Sequence, residues 1–311
     1  MELAVTGISS YLARTLIPLL EADESIRSIT GFDLKEPRFR SDKLEFIKAD
    51  VRDPELAVHM QGCDALVHLA YIVMPIRDEA KADDININGS KNVFRCAARA
   101  GVKKIVHLSS VAAYGSWPDN PALITEDVPV RGMPGFYYSR SKAAVEEFLD
   151  EFEKDHPELV ITRLRPSIFV GPTINNAITA VMSARLLARL RGLENKLQLT
   201  WDEDVARAIH LALGGDFHGA YNIAGDGFIT MDDMAGIRGV PCITLPYSLA
   251  LWLSRITWTL RLGTLSSGWI EVTRHPIIVS NEKAKREMGW TPSCDTRGAL
   301  IKLLETMPGT R

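Results

Sequence analysis

Leu3-Ala4-Val5-Thr6-Gly7-Ile8-Ser9-Ser10-Tyr11-Leu12-Ala13 is the stretch on which the fold turns. A short apolar run ends in Thr-Gly, two serines follow, and a helical pattern runs from Tyr11 to Glu21. This reads as strand, tight turn and helix. Gly7 supplies the backbone angle that other residues resist. The turn then aims backbone N–H groups and a helix N-terminus at one point, an arrangement suited to a pyrophosphate. The same residues also fit an ordinary helix capped by Ser9 or Ser10.

The pattern repeats outward from this stretch. Strand-like runs stand at Leu3–Thr6, Ser28–Asp33, Leu44–Lys48, Ala65–Leu69, Lys104–Ser109 and Val160–Arg165. Helical stretches lie between them, including Ala80–Ala100 and Tyr138–His156, the latter stopped by Pro157. Such alternation predicts an α/β fold, a Rossmann-type doubly wound parallel sheet with strand C-termini on one ligand-binding edge. The second half is less regular. Ala177–Leu190 and Asp204–Leu213 read as helices and Ala220–Ala224 as a strand. The expected division is a nucleotide-binding domain over 1–165 plus about 198–225. A smaller interleaved C-terminal substrate lobe takes about 166–197 and 226–311.

Bulk properties narrow the function classes. Net charge is −3 with both signs mixed along 311 residues, so no basic block points to nucleic acid. Cys63, Cys96, Cys242 and Cys294 have no metal or redox spacing, and no metal site is expected. The chain starts on a strand pattern rather than a signal peptide, which predicts a cytoplasmic protein. The most apolar stretch, Leu245–Leu260, is interrupted by Arg255 and is shorter than the ~20 residues of a spanning helix. No membrane partner is expected.

Asp33 ends the second strand about 20 residues after the turn, the spacing of a ribose-binding carboxylate. A carboxylate there accepts bonds from ribose hydroxyls and repels a 2′-phosphate, so NAD is favoured over NADP. Lys35, Arg38 and Arg40 soften that preference. Asp50-Val51 is placed to flank adenine, and Leu69-Ala70 to lie beside the cofactor. His68 reads as a hydrogen-bonded strand-end histidine.

Tyr138-Ser139-Arg140-Ser141-Lys142 carries the chemistry. On a helix, i and i+4 share a face. A phenol with a pKa near ~10 is a poor acid or base at neutral pH, and a neighbouring ammonium plus a cationic nicotinamide favours phenolate. Ser109 and Ser110 end a central strand, where a hydroxyl can polarise a substrate carbonyl; Ser110 is preferred. Tyr137 lacks a lysine four residues on.

Together these motifs resemble the extended short-chain dehydrogenase/reductases, or NAD-dependent epimerases/dehydratases. The resemblance rests on Thr6-Gly7, Asp33, Asp50-Val51-Arg52-Asp53, His68-Leu69-Ala70, Asn86-Ile87-Asn88-Gly89-Ser90-Lys91-Asn92-Val93, Ser109-Ser110 with Tyr114-Gly115, Tyr138 with Lys142, Arg165-Pro166 with Gly171-Pro172, and Gly289-Trp290 with Pro292. It implies Ser110, Tyr138 and Lys142 as catalytic, with Asn86 shaping the site. It also implies NAD contacts from Gly7, Ser9, Ser10, Tyr11, Asp33, Asp50, Val51, Leu69, Ala70, Tyr138, Lys142, Pro166 and Ile168. Three positions depart from the family pattern. Ser10 and Ala13 replace loop glycines, and Ile168 stands where sugar-nucleotide members often carry Asn.

The leading expectation is an alcohol dehydrogenase or ketone reductase acting on a small hydrophobic substrate. That choice follows the apolar Leu245–Leu260 stretch with Ile168 and Phe169. These residues also fit a plain lobe core. Arg185, Arg189, Arg191 and Arg274 suit a diphosphate, which keeps a sugar-nucleotide epimerase or dehydratase as the alternative. A non-catalytic NAD-binding protein is the third possibility. Family members commonly pair the two long helices, so a homodimer is expected.

Overall fold

A computed structural model describes residues 1–174, 177–263 and 266–307. Seven strands form the central sheet: β1 (Glu2–Thr6), β2 (Ser28–Asp33), β3 (Leu44–Lys48), β4 (Ala65–His68), β5 (Lys104–Leu108), β6 (Val160–Pro166) and β7 (Gly219–Ile223). Their order is β7-β6-β5-β4-β1-β2-β3, and every pairing is parallel. The order reverses between β1 and β4, and open α/β sheets bind ligands at such a switch point.

Both faces are covered, which is why the strands read as apolar runs rather than alternating ones. Helices α1 (Tyr11–Ala22) and α4 (Asp202–Gly214) bury Leu12, Leu16, Leu20, Val205, Ile209 and Leu213 with Leu3, Val5 and Ile29. On the other face α2 (Gly89–Ala100) and α3 (Tyr137–Asp155) bury Val93, Phe94, Val145 and Leu149 against Ala4, Leu66 and Ile105. Each fully buried Leu, Val, Ile or Phe contributes about 1.5–3 kcal/mol. Trp290, Ala284 and Met288, expected in the smaller lobe, pack into the first of these cores.

The Ala80–Ala100 helix is not uniform. Glu79–Asp83 is α-helical, Asp84–Asn88 widens into a π-turn, and α2 begins at Gly89. A side chain at Gly89 would meet the Val51 side chain at 2.6 Å, so the helix approaches that loop closely because residue 89 is glycine.

The second half corrects one expectation outright. Ala177–Leu190 is not one helix. It becomes a short helix, Ala177–Met182, and a strand, Leu187–Leu190, paired in parallel with Cys242–Leu245. Leu and Arg favour helix locally. The strand ladder and the burial of Leu187 and Leu190 override that preference. Val170, Met182, Leu187, Leu199, Trp201, Ile229, Met234, Leu300 and Leu303 make the lobe's core. Helix α5 (Tyr247–Thr259) contributes nothing to it and has no buried residue, so the Leu245–Leu260 stretch is not a lobe core.

Candidate active site

The turn after β1 has the required shape. Gly7 adopts φ +72°, and a Cβ there would lie 2.5 Å from the Ala70 nitrogen. The loop therefore lies directly against the end of β4. Ser10 caps α1 by accepting from the Ala13 N–H at 3.2 Å, and Ser9 donates its hydroxyl to the Lys35 carbonyl. Ala13 is fully buried, so the small residue in place of glycine still packs. The Asp33 carboxylate accepts from Ser9 N at 3.0 Å and Leu34 N at 2.7 Å, which joins the ends of β1 and β2. It is only partly buried and keeps lone pairs for ribose hydroxyls. The chemistry and spacing of these donors fit a dinucleotide.

Asp50 is differently engaged. Arg52 forks onto both its oxygens at 2.9 and 2.6 Å and reaches Asp84 at 2.8 Å, holding the Asp50 carboxyl below its usual range. Val51 is clamped through its carbonyl by Asn92 at 2.9 Å. Leu69 follows β4 and bonds the Thr6 carbonyl at 3.0 Å, and Pro166 ends β6 opposite Ile223. Ile168 lies on a strand paired with Leu199–Trp201, and its neighbour Phe169 packs on Tyr11 with ring centroids 5.4 Å apart.

The four strand-end residues next to the site divide clearly. His68 bonds Thr6 Oγ1 at 2.6 Å and Ser90 Oγ at 2.8 Å; burial pushes its pKa down to about 3, so it is a neutral structural group. Ser109 donates to Glu146, which also holds Arg165 in a buried ion pair that continues to Tyr114 and Asn222. The Ser110 hydroxyl instead lies beside the Tyr138 phenol, where it favours the phenolate, and accepts from Ala112 N at 3.1 Å. The fourth residue, His107, stacks on His68 at 5.5 Å, and neither of its ring nitrogens has a partner among the described residues.

Tyr138 and Lys142 stand one turn apart at the start of α3, as their spacing predicts. Their electrostatics differ from expectation. Burial pushes the Tyr138 phenol up to about 12, and the Ser110 bond only partly offsets it. Burial also pulls Lys142 down to about 7, with Glu146 opposing. The lysine Nζ donates to the Leu108 carbonyl at 2.7 Å and lies 3.4 Å over the Tyr71 ring, against 5.9 Å for the Tyr138 ring. Dehydration of a largely enclosed phenol outweighs a charge at that distance. A positively charged nicotinamide is the further charge that would favour phenolate.

Three aromatic residues that the sequence reading did not single out complete the site. Tyr71 meets Tyr138 edge-on at 5.7 Å and donates to Ser141 Oγ at 2.8 Å. Trp269, from the short helix α6 (Gly268–Glu271), stacks over Tyr138 at 6.5 Å. Phe136 packs against both, at 5.0 Å from Trp269 and 6.0 Å from Tyr138. Asn86, fully buried, holds the segment that follows Tyr71. Its amide bonds both backbone groups of Ile72, at 2.8 and 3.0 Å, and the Tyr137 hydroxyl donates to the Val73 carbonyl. Both are positioning residues for the segment after Tyr71. Among the described residues, no three His, Cys, Asp or Glu side chains gather as a metal site.

Residues 3–224 match the NAD dependent epimerase/dehydratase family, and the chain belongs to it. An uncharacterized protein of Mycobacterium tuberculosis is 23% identical over 305 residues, covering 94% of this chain and 80% of its own length. A UDP-glucose 4-epimerase of Mycolicibacterium smegmatis is 31% identical over 206 residues, 60% of this chain and 64% of that protein. The fold is similar to that of the Thermus thermophilus UDP-glucose 4-epimerase in complex with NAD, with TM-score 0.77, 20% identity and 99% of both chains covered. The protein is thus an NAD-dependent member of an enzyme family, with a Rossmann-like sheet and NAD as its cofactor.

Proposed function

We propose that the protein is an NAD-dependent oxidoreductase that interconverts a hydroxyl and a keto group on a small hydrophobic substrate. The observation that carries this reading is the arrangement around Tyr138: a phenol held by Ser110, backed by buried Lys142 and enclosed by Tyr71, Phe136 and Trp269. NAD, when bound, accepts or returns the hydride. Asp33 and the Gly7–Tyr11 turn hold its adenosine and pyrophosphate ends. Asp50, Val51, Leu69, Ala70, Pro166 and Ile168 flank its path. In the reductive direction Tyr138, protonated at neutral pH by virtue of its burial, gives its proton to the carbonyl oxygen while Ser110 donates to the same oxygen. Lys142 holds ribose hydroxyls and stabilises the phenolate left behind. In the oxidative direction the phenolate takes the alcohol proton back.

An aromatic enclosure suits an apolar substrate carrying one polar oxygen. Two of the four arginines considered for a diphosphate are already engaged elsewhere. Arg189 is paired with Asp232 at 2.6 Å, and Arg274 lies 5.9 Å from the Tyr247 ring. The likeness to two UDP-glucose 4-epimerases favours a second reading, a sugar-nucleotide epimerase with the same tyrosine. A screen of NAD reduction and NADH oxidation across hydrophobic alcohols, ketones and UDP- or dTDP-sugars separates them. Net NADH turnover with an apolar alcohol or ketone is expected. Isomer formation from a sugar nucleotide, without net NADH change, overturns the proposal. We place a homodimer contact on α2 and α3, to be checked by light scattering.

A further inference from the structure

Helix α5 is the element that the site does not explain. Tyr247, Leu251, Ser254 and Trp258 recur at helical spacing on one side. That side faces the protein: the Arg77 guanidinium lies 4.0 Å over the Trp258 ring, and Arg274 lies over Tyr247. Leu249, Trp252, Leu253, Ile256 and Leu260 share the opposite side. Trp252 is 57% exposed and Leu260 61%, and Leu262 just beyond is 78% exposed. A surface helix of a soluble protein turns its polar side outward. Here the outward side is mostly apolar; among the described residues its polar side-chain groups are the Trp252 indole N–H and, at its edge, the exposed hydroxyls of Ser248 and Thr259.

The charge pattern of the surrounding chain is equally one-sided. From Met234 to Ile270 there is no Asp, Glu or Lys, in a chain with 39 acidic residues; the three charges are Arg238, Arg255 and Arg261. Arg255 and Arg261 flank the outward side, and both are exposed. The nearest acid, Glu271, meets Arg255 at 3.4 Å in a largely exposed contact that holds it weakly. Trp and Leu facing out, arginines beside them and a run of 37 residues without an acid match a helix lying in the headgroup region of an anionic bilayer. A protein partner is less well served, since the polar groups on this side stand only at its edge and the middle is Leu249, Leu253 and Ile256.

We propose that α5 docks the protein onto an anionic lipid surface, with Trp252, Leu253, Leu249 and Leu260 at the acyl boundary and Arg255 and Arg261 at lipid phosphates. The helix lies on the membrane; among the described residues no helix is long and apolar enough to cross one. This replaces the expectation of no membrane partner. Arg77, six residues after Tyr71, and Glu271, two after Trp269, tie α5 to the two segments that enclose Tyr138. Docking therefore brings the site to the lipid. The proposal stands whatever the substrate is.

Sedimentation of the full-length protein with vesicles tests it. The wild type should bind vesicles of phosphatidylglycerol and phosphatidylcholine, and bind pure phosphatidylcholine much less. Trp252→Glu with Leu253→Glu should weaken binding at least ~10-fold by placing charge at the acyl boundary. Arg255→Ser should weaken it about fivefold. Leu123→Glu, at an exposed leucine elsewhere, should change nothing. NAD affinity serves as the folding check and should stay unchanged in all variants. Failure of the wild type to bind either vesicle, or undiminished binding of the double variant, overturns the proposal. So does a wild-type oligomer that the double variant dissociates without any vesicle binding, since a second copy then covers the helix. Equal binding to both vesicle types refutes the role given to the arginines.

Discussion

Replacing Asp33 with alanine probes the cofactor site without knowledge of the substrate. The carboxylate accepts three backbone N–H bonds, from Ser9 at 3.0 Å, Leu34 at 2.7 Å and Lys35 at 3.4 Å, and stands at the end of β2, where the proposed reading puts the adenosine ribose. A hydrogen bond to a charged group contributes about 1.5–3 kcal/mol. Losing one ribose bond therefore raises the NAD Kd about 10- to 150-fold. NADP should change less, because the carboxylate that repels its 2′-phosphate leaves with the bond. The NADP-to-NAD Kd ratio should fall at least ~10-fold accordingly. Asp50→Ala is the control: its carboxylate is committed to Arg52, and its effect on NAD should be severalfold smaller. Isothermal titration of both cofactors against the three proteins gives every number. An Asp33→Ala protein that binds NAD as tightly as wild type refutes the reasoning. So does a wild type that prefers NADP, which would place control with Lys35, Arg38 or Arg40.

The two strand-end serines should separate by phenotype. Ser110→Ala should lower the rate about 10²-fold with little change in Tm. Ser109→Ala should spare activity more but cost about 1–3 kcal/mol, because it removes a donor to buried Glu146; the reverse pattern would exchange their roles. His107 gives a pH signature. Burial holds its pKa well below 6.5, so the unfolded chain takes up a proton that the folded one refuses. Stability is then full above pH ~6.5 and falls as pH drops, by up to about 1.4 kcal/mol per pH unit. His68, likewise pushed down by burial, adds a second such term, so His107→Leu should reduce but not abolish the fall in urea midpoint between pH 7 and pH 5, and an unchanged slope would show that His107 does not carry its term.

What was legible in the sequence is what local chemistry dictates. Gly7 at the strand-to-helix turn, Asp33 at the end of β2 and the Tyr138/Lys142 spacing each follow from backbone angle, strand length or helix periodicity. The family pattern adds Ser110, and the structure separates it from Ser109 through a Glu146 contact 37 residues away in sequence. Tyr71 was within reach, because it directly follows His68-Leu69-Ala70 at a strand's ligand edge. Trp269 was not, since nothing local marks a tryptophan 131 residues after Tyr138 as its neighbour. The strand at Leu187–Leu190 was hidden for a related reason: its partner, Cys242–Leu245, overrides helix-favouring residues only once the lobe forms. The Tyr138 phenol was expected to be lowered by Lys142 and a cationic nicotinamide acting together, and the protein's own groups alone do not lower it. Burial raises it, and burial is a tertiary quantity that spacing does not report.

The central claim is that Tyr138 moves the proton in an NAD-dependent reaction. Tyr138→Phe removes the hydroxyl and keeps the ring that packs with Tyr71, Phe136 and Trp269. With the best substrate from the screen, single-turnover NADH oxidation should slow at least ~10²-fold while the NAD Kd stays within about threefold of wild type, since the remaining cofactor contacts are untouched. A Tyr138→Phe protein that turns over at near wild-type rate would contradict the account.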